Sequence, residues 1–226
     1  FHDDQHGTAI VVLAALRNSL RLVNKKLEDV KIVMSGAGAA GTAIARLLVL
    51  SGAKNIIAFD KDGAINGSRT RDDEMRAWFI DHSNPTNFAG SLHEAMTGAD
   101  VFIGVSAPNV LTESDVASMS ERSIVFALAN PDPEVDPVIA RKYAAVVATG
   151  RSDQPNQINN VLAFPGIFRG LLDAQAHRIT DDLLIAAANA IADCVSASQL
   201  NASFIVPSVF DPQVVTKVAA AVKASV

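Results

Sequence analysis

The residues with the clearest chemical purpose are three glycines, Gly36, Gly38 and Gly41, in the run GAGAAG that separates two apolar stretches. In a G-x-G-x-x-G placed between strand and helix, the first glycine permits a tight turn and the second lets a pyrophosphate approach the backbone. The third lets the helix pack closely on the strand. Phosphate then meets unpaired N–H groups and the positive end of a helix dipole, worth roughly half an elementary charge. Gly36, Ala37, Gly38, Ala39, Ala40 and Gly41 are therefore a candidate phosphate cradle. About 20 residues further on, such sites place an acid that accepts hydrogen bonds from the adenosine ribose. Asp60 closes the next apolar run, NIIAFD at 55–60. A bare glycine motif also closes ordinary turns; strand, glycines, helix, second strand and terminal acid in register make it a dinucleotide motif.

Asp60 bears on the choice of dinucleotide. A carboxylate accepts from a ribose 2'-hydroxyl and repels a 2'-phosphate, so NAD is expected. Lys61 follows directly and Arg69 and Arg71 lie in the next loop, which leaves NADP open, because these cations can neutralise a phosphate.

Other reactive side chains read more plainly. Asp3 and Asp4 precede an apolar helical pattern and, from the residues alone, are two acids at the positive end of that helix. His2 and His6 stand four apart with no third ligand at a known spacing, so surface or packing roles are expected. Lys25, Lys26 and Lys31 read as a solvated face. Cys194 fits the helical period of an apolar run and is expected in the core. As the only cysteine it can form no internal disulfide, which suits a reducing, cytoplasmic setting.

Apolar periodicity supplies the elements that must position these groups. A helix is expected over 8–23, with Thr8 as its N-cap; left uncovered, its apolar face would favour self-association. Strands are expected at 30–35, 55–59, 100–105, 122–127 and 145–149, alternating with helices at 39–51, 72–81, 91–97, 112–119 and 136–142. Further helices follow near 166–175, 181–195 and 211–223. This alternation predicts a Rossmann-like, doubly wound parallel sheet with flanking helices and a C-terminal helical segment. Ligands of such sheets lie beyond the carboxyl ends of the strands. That points to the glycine turn, Asp60, the loop at 106–109 with Ser106, the segment 129–133 with Asn130, and the polar loop after 149. Asn130 before Pro131 is also an ordinary turn starter, and Asn159 and Asn160 also suit loop hydrogen bonding.

The 226 residues, 49% of them hydrophobic, suffice for a substantial core. A formal charge of −5 with one Trp and one Tyr gives no basic or stacking footprint, so no nucleic-acid partner is expected. No apolar run approaches the roughly 18 residues of a membrane span, and no signal peptide is visible. The chain opens at Phe1 without an initiator Met, which suggests a single dinucleotide-binding domain, 1–226, cut from a longer chain.

Five segments together resemble the cofactor-binding domain of bacterial malic enzymes: FHDDQHGTA at 1–9, GAGAAG at 36–41, ANPDPE at 129–134, GRSDQPNQINN at 150–160 and FPGIFRG at 164–170. The resemblance spans essentially the whole chain. It implies oxidative decarboxylation of (S)-malate to pyruvate and carbon dioxide, with NAD or NADP and Mg2+ or Mn2+. It makes Asp4 a metal ligand and Asp3 a catalytic residue that orients the family's lysine base. Asn130 and Asn160 become contacts to malate or to the nicotinamide edge, with the glycine turn and Asp60 as dinucleotide contacts. In that family the lysine, a tyrosine acid and the other metal carboxylates lie in a preceding domain. These 226 residues are therefore expected to bind dinucleotide with little turnover alone, within a homo-oligomer, dimer or tetramer. The alternatives are a stand-alone, non-catalytic nucleotide module and a malolactic type of enzyme that releases lactate.

Overall fold

The computed structural model describes residues 1–226. Six strands form one sheet: β1 (Lys31–Ser35), β2 (Asn55–Asp60), β3 (Gly63–Ala64), β4 (Val101–Gly104), β5 (Ile124–Ala127) and β6 (Val146–Thr149). Their order across the sheet is β3-β2-β1-β4-β5-β6, and every pairing is parallel except the β2–β3 hairpin. The doubly wound sheet is as expected. The hairpin strand β3 was not foreseen, because two residues are too few to show a period.

Alternation along each strand sorts the core into two layers. Ile32, Met34, Ile103 and Phe126 face one side, while Val33, Phe102, Val125 and Val147 face the other. The first layer is the larger. It carries α1 (Thr8–Val23), α2 (Ala39–Leu50), α7 (Phe164–Asp173), α8 (Asp181–Ala192) and α9 (Pro212–Ala224). The thinner second layer holds α4 (Leu92–Met96), α5 (Glu113–Ala117) and α6 (Pro137–Ala140), while α3 (Glu74–His82) lies beside α2. All helices predicted from periodicity are present, their ends shifted by less than a turn.

Two expectations about α1 are corrected. Thr8 is not an N-cap: residues Asp3–Gly7 already form a π-helical turn that runs straight into α1, and no side chain caps it. The Thr8 N–H donates instead to the Asp3 carbonyl within that turn. Nor does α1 leave an apolar face uncovered. Ile10 through Leu16 are completely buried, because α2 and α8 pack over the helix. Two buried amides tie the C-terminal segment down. Asn18 Nδ2 donates to the carbonyls of Ala192 and Ile205 at 3.0 and 2.9 Å. Asn156 Nδ2 donates to Val147 and Ala202, while its Oδ1 accepts from the Ile205 N–H.

Two of the three lysines expected on a solvated face are also corrected. Lys25 is no solvated charge: its Nζ reaches Asp100 Oδ1 at 2.7 Å, Ser120 Oγ and the Glu121 carbonyl. Lys31 Nζ donates to the Thr97 carbonyl at 2.9 Å, and Lys26 alone of the three is fully exposed. Cys194 is half-buried, its thiol pushed up by burial and directed at the Ala190 carbonyl.

Candidate functional site

The glycine turn joins β1 to α2, and its three glycines answer to three different constraints. Gly36 sits at φ +106°, a region L side chains avoid, and a Cβ there would lie 2.6 Å from the Val105 carbonyl oxygen. At Gly41 a Cβ would overlap the Gly36 carbonyl oxygen, so this glycine sets how closely α2 meets the turn. Gly38 is the opposite case: nothing stands within 4 Å of an added Cβ. The space above it is open to a ligand. α2 begins directly after Gly38 with no side chain capping it and no acid in its first turn, so its leading N–H groups remain free for an anion.

β1 and β4 are the strands from which the chain winds in opposite directions, and a crevice opens beyond their carboxyl ends. Ser35 ends β1, Ser106 follows β4, and their hydroxyls meet at 2.8 Å. Beside them lies a cavity of about 430 Å³ whose polar lining includes Asp4, Thr8, Ser106, Asn130, Asn159 and Asn160, with Ala40 of α2 at its edge. Val105, Leu128 and Ile158 complete it with apolar surface. The π-helical turn, α2 and three separate loops therefore deliver side chains to one place.

Asp3 does not line this cavity but supports it. Its Oδ2 accepts from Asn160 Nδ2 at 2.5 Å, while its Oδ1 is buried without a partner. Burial, then the neighbouring Asp4 charge, pushes the Asp3 carboxyl above its ordinary range. Gly7 makes this arrangement possible, since a Cβ there would overlap Asp3 Oδ1. Of the expected site residues, Asp4, Ala40, Ser106, Asn130 and Asn160 thus converge, with Asp3 bonded to Asn160. Ala37 packs against the core, and Ala39 borders a second cavity with His6 and Leu184.

Asp60, expected to accept from a ribose, is already bonded within the chain: Arg69 reaches both of its oxygens at 3.1 and 3.0 Å and Arg76 Nε reaches Oδ2 at 3.3 Å. The Asp62 N–H takes Oδ1 as well, at 2.9 Å. A carboxylate offers about four lone-pair positions, so all are in use. Arg71 faces Asp81 instead, so Arg76 fills the place proposed for it. Arg76 comes from α3, and no local spacing links it to Asp60.

Sequence reasoning also passed over Glu134, a fully buried glutamate behind Ser106 and Ala129. As one acid in a polar loop it carried no signal of burial.

The residues present suit a dinucleotide: open space at Gly38, an uncapped helix and a crevice at the switch point. They suit a divalent cation only in part. A hard cation takes about six oxygens, and no three His, Cys, Asp or Glu side chains converge anywhere in the chain. His2 and His6 form no such group either; His6 stacks on Phe1.

The family description "Malic enzyme, NAD binding domain" matches residues 5–226. The NAD-dependent malic enzyme of Geobacillus stearothermophilus is 53% identical over 222 residues, 98% of this chain and 46% of that protein. The bifunctional malic/malolactic enzyme of Bacillus subtilis (strain 168) is 49% identical over 224 residues, 98% of this chain and 55% of that protein. Among solved structures, the NAD-dependent malic enzyme from Thermotoga maritima superposes with a TM-score of 0.94 at 45% identity, covering 100% of this chain and 60% of the other. The chain therefore spans about half the length of the curated relatives it matches. With its doubly wound sheet, open glycine turn and whole-length identity in agreement, this chain belongs to the malic enzyme NAD-binding domain family.

Proposed function

We propose that this chain is the dinucleotide-binding part of an enzyme that oxidises and decarboxylates (S)-malate to pyruvate and carbon dioxide. The observation that carries the reading is the single cavity shared by Asp4, Ser106, Asn130 and Asn160, placed beside the uncapped start of α2. In this reading the amides around Gly38 would hold the pyrophosphate, and Ala40 and Ser106 would border the nicotinamide. Asn130 and Asn160 hold malate or the carboxamide through side-chain amides, which can both donate and accept. A nicotinamide held there would supply the acceptor for the hydride of malate C2. Asp3 fixes the orientation of Asn160 from behind the cavity lining and, in this reading, orients a base supplied from outside the chain. Asp4 would give one carboxylate to a divalent cation, Mg2+ or Mn2+, which needs further donors besides those of this cavity.

No lysine or tyrosine lines the cavity, so the 226 residues bring neither a base nor an acid of those types to the reaction. Turnover by the chain alone is therefore expected to be negligible. NAD is the proposed coenzyme, with weak discrimination against NADP, because two guanidinium groups offset the Asp60 charge. We further propose a cytoplasmic homo-oligomer, dimer or tetramer, for which the exposed Phe164, Phe168 and Leu172 on α7 offer contact surface. No helix is long and apolar enough to cross a membrane.

The test is malate-dependent reduction of NAD and of NADP, followed by nicotinamide absorbance with Mn2+, on this chain and on a longer protein containing it. The reading expects dinucleotide binding by both and reduction, with pyruvate formed, only by the longer protein. Failure of that protein to consume malate refutes it. The name of the Bacillus subtilis relative supports a second outcome: lactate as product, without net reduction, assigns the malolactic reaction.

A further inference from the structure

Glu134 is the one carboxylate in the protein with no solvent exposure at all, and no cation pairs with it. Its partners are main-chain donors from two different loops. Oε1 accepts from the Ser106 N–H at 2.9 Å and lies 3.4 Å from the Ser106 hydroxyl; Oε2 accepts from the Ala129 N–H at 3.0 Å. Ser106 follows β4, Ala129 follows β5, and both residues line the cavity. The side chain passes under Gly104, where an added Cβ would overlap its carboxyl carbon. Two features thus converge: a strand glycine that leaves room, and a charge placed behind two facing loops.

We propose that Glu134 is a positioning residue that sets the spacing between the β4 and β5 loops, and so the width of the cavity in which Ser106 and Asn130 face a ligand. Three main-chain ties already join the two strand ends, the Leu128, Asn109 and Leu111 N–H groups donating to the Gly104, Pro133 and Glu134 carbonyls at 3.0 Å each. Only the first touches the cavity lining, at Leu128, and none holds Ser106 or Ala129. The carboxylate does, because each of its oxygens takes the amide of a lining residue. Through Ser106 the same bridge extends to Ser35 at the end of β1. Burial raises the Glu134 carboxyl above its ordinary range while the two amides hold it down. A carboxylate is the group suited to the place: both of its oxygens accept, whereas an amide side chain offers one acceptor and turns an N–H toward the other loop.

The assignment rests on the dinucleotide reading of the cavity, so the experiment reads the loops and the ligand separately. Glu134→Gln and wild type are compared by amide hydrogen exchange and by NADH fluorescence titration, well below the melting temperature of either. Faster exchange confined to residues 105–109 and 128–131, with NADH bound about tenfold more weakly, supports the proposal. Restored affinity in a Glu134→Asp variant, which keeps two acceptor oxygens, strengthens it. Unchanged loop exchange overturns the proposal, and so does faster exchange throughout β4 and β5, which would make Glu134 a general stabiliser. If Glu134→Gln does not fold, Gly104→Ala, whose added Cβ would displace the Glu134 carboxyl, carries the same comparison. A wild-type chain that fails to bind NADH refutes the cavity's reading as a dinucleotide site, while the exchange data still decide the role of Glu134.

Discussion

Gly38 and Gly41 belong to one motif, yet substitutions at the two should fail in opposite ways. At Gly38 the backbone is extended, φ −78° and ψ −164°, which any residue adopts, and no atom lies within 4 Å of a new Cβ. A Gly38→Val chain should therefore fold and melt as wild type does. Its methyl groups would occupy the space where a pyrophosphate meets the first amides of α2. Hydrogen bonds to a charged group contribute about 1.5–3 kcal/mol each. Losing two of them weakens NADH binding by at least about 100-fold. At Gly41 the new methyl overlaps the Gly36 carbonyl oxygen, a backbone atom that cannot rotate away. Gly41→Ala should cost about 1–3 kcal/mol or more through displacement of α2, lowering the melting temperature by about 2–4 °C for each kcal/mol in a chain of this size. Fluorescence titration with NADH and thermal unfolding by circular dichroism, run on both variants, make the comparison. Wild-type affinity in Gly38→Val would refute the proposed cradle; wild-type melting in Gly41→Ala would refute the packing argument.

Three further outcomes are expected. Asp60→Ala frees Arg69 and Arg76 and removes the charge that repels a 2'-phosphate, so NADPH affinity should rise about tenfold; paired titrations with NADH and NADPH measure it, and an unchanged ratio places Asp60 outside the adenosine site. Asn18→Ala leaves the Ile205 carbonyl without its donor, while the Ala192 carbonyl keeps the Val195 N–H, and should cost about 1–3 kcal/mol in urea unfolding, whereas a cost near zero would show that the C-terminal segment is held by other contacts. Burial raises the Asp100 carboxyl, but Lys25, Ser120 and the Lys31 amide hold it below its ordinary value on balance. Its stabilisation is thus complete above the ordinary carboxylate range and is lost as pH falls through the folded value. Asp100→Asn should accordingly destabilise the chain at neutral pH and progressively less as pH falls below the ordinary carboxylate range; a loss independent of pH across that range would contradict the ion pair.

The layered sheet was legible in the sequence because each of its signals is local. Runs such as VFIGV at 101–105 and SIVFA at 123–127 are apolar throughout, as strands covered on both faces must be, and the glycine spacing marks the turn from β1 to α2. Helix positions followed from a period of 3.6 for the same reason. The resemblance then attached functional expectations to Asp3, Asp4, Asn130 and Asn160, and the fold brought Asp4, Asn130 and Asn160 to one cavity with Asp3 bonded at its edge.

What the sequence could not show depends on groups far apart in the chain. Periodicity records which face of an element is apolar, but not which side chain crosses from another element to meet a given acid. Asp60 acquires Arg76 from α3, Lys25 finds Asp100 from the start of β4, and Glu134 is buried only because Gly104 lies opposite it. The kind of ionisable group at each of these positions is fixed by the amino acid alone. Whether that charge meets water, a guanidinium or a pair of backbone amides is decided by tertiary packing, because the solvation and pairing of an ionised group depend on every neighbour within a few ångströms.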